Sequence, residues 1–174
     1  MSDAASIVDT ARGLGLEEEE REILIRDGMT MLEIFRSSID RMNARGERFD
    51  HPVPVIGGII GNNLYKYINE DNILRAPAGP LFDRLYGSEN YRGIKECYDQ
   101  AEAVLTAVHA QLGRMRAQWD LVFATYPGHY WGCAKARGMT AFVHMDPWAK
   151  AFWVSRKFDD KLFRTVHEER FLAR

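Results

Sequence analysis

The spacing of apolar residues predicts a mainly helical chain, folded as a single domain over residues 1–174. Three observations lead there. Ile25, Gly28, Leu32, Phe35, Ile39 and Met42 recur at alternating steps of three and four, which is one face of an amphipathic helix over about 16–44. Ile94, Tyr98, Ala101, Leu105, Val108, Leu112, Met115, Trp119 and Val122 continue that alternation as a heptad seam and predict a second long helix over about 89–122. Asp146-Pro147, a capping aspartate followed by proline at the first helical position, opens a last helix over about 147–171.

Composition bounds the function classes. The chain is 46% apolar and 28% charged, with a formal net charge of −2, which suits a soluble globular protein of the cytoplasm. The near-neutral balance argues against nucleic-acid binding, and no apolar run reaches the roughly 18 residues of a membrane span. The first residues lack the basic–apolar–small order of a secretory signal. Two cysteines, Cys97 and Cys133, without a Cys-x-x-Cys pair, argue against a disulfide framework or a structural zinc knuckle. The charge is graded along the chain. The first 22 residues are acidic, whereas residues 119–174 hold nine basic and six acidic side chains, with all four tryptophans.

The elements follow in order. A short helix over 4–12 stops at Gly13 and Gly15, and the helix over 16–44 starts in a glutamate-rich turn that favours the positive end of its dipole. Gly28 on its apolar face admits a close neighbour. His51-Pro52-Val53-Pro54 is extended, because residues before proline avoid the helical region. Gly57-Gly58-x-x-Gly61 resembles a nucleotide loop only in its glycines, since no strand–helix succession surrounds it. A loop over 69–80 and a short helix over 81–86 precede the seam helix, whose length of about 45 Å would exceed a compact domain of this size. It therefore either curves along the domain or meets another chain. Residues 123–147 then form an irregular aromatic and histidine-rich segment, with a short strand near 139–145.

That segment holds the chemistry-bearing side chains. If 128–137 contains a helical turn, His129 and Cys133 share a face, and His144 and Asp146 fold back on them. Two chemistries fit the set: a Cys133 thiolate with histidine as base, or a divalent metal such as zinc held by His129, Cys133 and His144, with or without Asp146. Taken singly, each has a structural explanation: a small buried thiol, a core histidine, a helix cap. Their density beside Tyr126, Tyr130, Trp131 and Trp148 fits a ligand pocket or a protein interface, because such aromatics combine apolar bodies with polar tips. No Glu-x-x-His pair or His-Glu-x-x-His motif is present.

Two functions follow. In the first, the chain is an accessory or ligand-binding subunit that forms homo- or hetero-oligomers through its seam helix. An aromatic pocket or surface over 126–148 then takes a small apolar or aromatic ligand. In the second, it is a small enzyme using metal-assisted or Cys/His acid–base chemistry on such a molecule. No motif names a reaction.

Overall fold

The computed structural model describes residues 4–47, 97–126, 129–156, 158 and 167–173. The chain divides into two compact units, residues 1–41 with 96–174, and residues 42–95. The expectations for Gly57–Gly61, for the loop over 69–80, for the helix over 81–86 and for Ile94 lie outside the described residues.

In the first unit, α1 (Ala4–Gly13) leads through a turn at Gly15, whose φ of 63° suits glycine, into α2 (Glu18–Ala44). The backbone N–H of Glu17 donates to the Glu20 carboxylate, which satisfies one orphan donor of the first turn. Leu24, Met31, Leu32, Phe35 and Ile39 form the buried stripe of α2, close to the face read from the spacing. α3 (Cys97–His109) buries Cys97, Ala101, Val104, Leu105 and Val108, and a 3₁₀ turn follows at Leu112–Arg114.

The remainder is a sheet. β1 (Trp119–Tyr126), β2 (His129–Ala136), β3 (Phe142–Asp146), β4 (Ala151–Ser155) and β5 (His167–Arg170) pair antiparallel in the order β4-β3-β2-β1-β5. Of the second unit only residues 42–47 are described: the end of α2 and a turn at Gly46, with φ 65°.

The architecture thus corrects the mainly helical expectation: among the described residues three helices accompany a five-stranded sheet, and strands hold 27% of those residues. The predicted 89–122 helix ends at His109, and Met115 is extended (φ −85°, ψ 153°). Trp119 and Val122, both assigned to one seam, lie on opposite faces of β1, since strand side chains alternate. Trp-Asp-Leu-Val-Phe-Ala-Thr-Tyr is dense in β-branched and aromatic residues, which favour a pleated surface whatever their apolar spacing. The segment over 123–147 is not irregular but contains the second half of β1 with β2 and β3.

The last predicted helix is also corrected. Asp146 does cap, accepting the backbone N–H of Ala149 at 3.0 Å, but the cap closes a turn and not a helix. Lys150 then takes a left-handed φ of 53°, and Ala-Phe-Trp-Val-Ser returns as β4. β5 occupies four more of the positions assigned to that helix.

The helices cover one face of the sheet. Leu105 of α3 lies over Gly132, where an added Cβ would stand 2.9 Å from Leu105 Cδ2, and Phe35 of α2 meets Phe152 of β4 with ring centroids 5.7 Å apart. Asp27 of α2 is buried and fastens the chain entering β1: its carboxylate accepts the N–H groups of Arg116 and Ala117 and the Trp119 indole N–H, at 2.9–3.1 Å. The opposite face carries a second apolar cluster of Val122, Ala124, Trp131 and Cys133, with Phe142, Trp153 and Phe158 against it.

Candidate active site

β2 and β3 bring His129 and Asp146 together. Gly132 pairs with Met145, so the next residue of each strand sets Trp131 opposite Asp146 and makes His129 the diagonal neighbour of Asp146. Diagonal residues on one face are within reach of long side chains, and His129 Nε2 lies 2.7 Å from Asp146 Oδ2. The other Asp146 oxygen holds the Ala149 N–H, which fixes the carboxylate plane.

The third member comes from the helix layer. Tyr98 of α3 stacks on Phe123 at 4.7 Å and meets the edge of Tyr130 at 5.3 Å, which sets the start of α3 over the start of β2. His129 is the first residue of β2 and stands at the sheet rim, where the Cys97 side chain comes near enough to act on its ring. A carboxylate is therefore bonded to an imidazole that has a thiol close by. Cys97 is 7% exposed, and the His129 and Asp146 side chains are 12% and 9% exposed, so all three are sheltered yet reach the surface.

Burial of the His129 ring works to lower its pKa. The hydrogen bond and charge of Asp146, together with the nearby Cys97 side chain, outweigh that and push it up to about 10. The imidazole is thus held protonated at neutral pH, beside a sulfur atom.

The other expected site residues are placed differently. β2 is a strand, so His129 and Cys133 share a face but lie about 13 Å apart along it. The helical turn that was to join them is absent. Cys133 is fully buried directly across from His144, and burial, with the charge of Glu168, raises its thiol pKa well above the usual range. It is a core thiol. His144 is fully buried too, taking the Trp131 indole N–H on Nδ1 at 3.1 Å and meeting Ser155 Oγ at 3.0 Å through Nε2.

Among the aromatic candidates, Tyr130 faces α3 and Trp131 the opposite side, so alternation prevents a single pocket containing both. Trp148 is half-buried in the β3–β4 turn, and the side chain of Tyr126 lies outside the described residues. Among the described residues no three His, Cys, Asp or Glu side chains converge as a metal ion requires. A groove between α2 and α3, lined by Thr30, Glu33, Ser37, Arg41, Gln111 and Arg114, contains none of the three linked residues.

Cys97 is the residue that sequence reasoning passed over. Its signal in the chain is weak: a cysteine ahead of a histidine and an aspartate, with no local motif. No family model, curated protein or solved structure matches the chain.

Proposed function

We propose that this chain is a cysteine-dependent acyl-transfer enzyme that hydrolyses an amide, ester or thioester. Cys97 is its nucleophile, His129 its acid–base and Asp146 the group that orients the imidazole. The juxtaposition of the three side chains carries the proposal. A thiol becomes a strong nucleophile when a neighbouring imidazole takes its proton, and a carboxylate on the far ring nitrogen fixes the tautomer and stabilises the imidazolium. Nε2 is committed to Asp146, so the exchange with the thiol falls to Nδ1.

The steps balance. In the resting pair the Cys97 proton already sits on His129, and the thiolate sulfur attacks the carbonyl carbon, whose π pair moves onto oxygen. Collapse of the adduct expels the leaving group, which takes the proton from His129, and leaves a thioester on Cys97. Water then attacks the thioester as neutral His129 accepts its proton. The second collapse releases a carboxylic acid and the thiolate, with His129 again protonated.

This is the enzymatic alternative of the two functions, with the nucleophile moved from Cys133 to Cys97. The accessory-subunit alternative loses its carrier, since the seam helix on which assembly rested ends at His109. Among the described residues no helix is long and apolar enough to cross a membrane. Both cysteines are free thiols, which suits a reducing compartment such as the cytoplasm.

The test offers the purified chain a panel of nitrophenyl esters, acyl thioesters and aminoacyl amides, with trapping of the acyl-enzyme by mass spectrometry. A mass increment confined to Cys97, turnover lost in Cys97→Ala, and a fall of about 10²–10⁴-fold in His129→Ala support the proposal. Activity that survives in Cys97→Ala, or a panel that never acylates Cys97, overturns it.

A further inference from the structure

On the sheet face away from the helices, His129 lies against Trp131, with ring centroids 5.8 Å apart and planes 23° from parallel. The indole is 1% exposed and forms a wall beside the His129–Asp146 bond. What fixes that wall is a second, separate histidine. An indole N–H only donates, so the 3.1 Å contact from Trp131 Nε1 requires a bare Nδ1 on His144. The proton of His144 therefore sits on Nε2 and is donated to Ser155 Oγ at 3.0 Å. Trp153 lies flat on the His144 ring, 4.6 Å away and 4° from parallel.

We propose that His144 is a positioning residue for the Cys97–His129–Asp146 centre: held neutral between Ser155 and Trp153, it locks the Trp131 indole as the wall that keeps His129 on Asp146 and water off their bond. This rests on the proposed function for the chemistry it serves, but the contacts themselves involve no thiol. The two histidines divide the work. His129 faces charged partners, Cys97 from α3 and Asp146 from β3, and carries a proton. The contacts of His144 include an indole donor, a hydroxyl and aromatic rings, and its acceptor nitrogen must stay unprotonated to take the indole N–H. Protonation of His144 would turn that nitrogen into a second donor aimed at Trp131 and break the lock.

The test compares the exchange rate of the His129 Nε2 proton with water, read by nitrogen-resolved NMR, in the wild-type chain and two variants. Trp131→Phe keeps a flat ring on His129 but removes the donor. Trp131→Phe with His144→Leu replaces both partners of the indole bond by apolar groups and leaves only the part-buried Ser155 hydroxyl to find another partner. The indole proton of Trp119, held by Asp27 on the other face, is the internal reference for general opening. The expected result is at least ten-fold faster exchange at His129 in both variants, with Trp119 unchanged and Cys97 alkylation slowed by about ten-fold. Unchanged exchange at His129 overturns the inference, and so does an equal loss of protection at His129 and Trp119. If Cys97 proves unreactive in the wild-type chain while His129 exchange still responds, the acyl-transfer proposal fails and the positioning role stands.

Discussion

His129 and Asp146 bond side chain to side chain at 2.7 Å because antiparallel pairing makes them diagonal neighbours at the rim of the sheet. The pair makes stability depend on pH with a defined sign. The His129 pKa rises from 6.5 to about 10 on folding, so between those values the folded chain holds a proton that the unfolded chain releases. The stabilisation is fully present below pH 6.5 and is lost as pH rises through about 10. Urea denaturation of the wild-type chain and of Asp146→Asn, measured at pH 6 and again near pH 10.5, should show a wide stability gap that narrows. A gap independent of pH would mean that His129 carries no extra proton in the fold.

The two cysteines separate in reactivity. Cys133 lies in the core beneath aromatic side chains with its thiol pKa raised by burial, whereas Cys97 touches the surface and a protonated imidazole. Iodoacetamide at pH 8 should alkylate Cys97 about ten-fold or more faster than Cys133, read by peptide mass after a short pulse. In His129→Ala the Cys97 rate should fall while that of Cys133 stays low. Equal labelling of both thiols in the folded chain contradicts the assignment.

The sequence disclosed part of this in readable physical terms. α1 and α2 follow from apolar spacing, glycine stops and a glutamate-rich first turn, which are local signals. Asp146 was legible as a cap, and its role as a cap is real. The helix after it was not, because a cap signature fixes one turn, and the residues beyond it decide whether that turn continues. The seam misled for a related reason: steps of three and four sample both parities of a strand, so Trp119 and Val122 fit a helix face in the sequence and opposite faces of β1 in space. Of the proposed centre, His129 and Asp146 stand out in the sequence through residue type and proximity in the chain. Cys97 was not, since only the docking of α3 over β2 brings it to the histidine, and no short-range spacing records that contact.

Asp27 is the point at which α2 holds the entry to β1. One buried carboxylate accepts two backbone N–H groups and an indole N–H, so Asp27→Ala strands three donors at once. The expected cost is about 3–5 kcal/mol, from charge-assisted bonds lost and donors left unpaired. Asp27→Asn should cost less, about 2 kcal/mol, because one oxygen still accepts. Combining Asp27→Ala with Trp119→Phe should cost less than the sum of the two, since both remove the same bond. Chemical denaturation of the wild-type chain and the four variants measures this, and strict additivity would show that the indole bond contributes nothing.

Two glycines that look alike in the sequence should respond oppositely to alanine. At Gly28 an added Cβ would stand 3.5 Å from Ile7 Cγ2, an ordinary contact, and the residue lies in the middle of α2. Gly28→Ala should stabilise by up to about 1 kcal/mol, through the lower backbone entropy of the unfolded chain and better helix propensity. At Gly132 the same atom would come within 2.9 Å of Leu105 Cδ2 and 3.1 Å of its Cγ, in a core where Leu105 is fully buried. Gly132→Ala should therefore cost about 1–3 kcal/mol by overpacking. Leu105→Ala alone opens a cavity and should cost about 2–5 kcal/mol, yet it also vacates the space that the new methyl needs. The double variant should accordingly lose less than the sum of the single losses, by at least about 0.5 kcal/mol. Thermal and urea unfolding of the five chains gives the comparison. A destabilised Gly28→Ala would show that α1 and α2 pack more tightly than the 3.5 Å contact implies, and additive losses at Gly132 and Leu105 would show that α3 does not rest on that glycine.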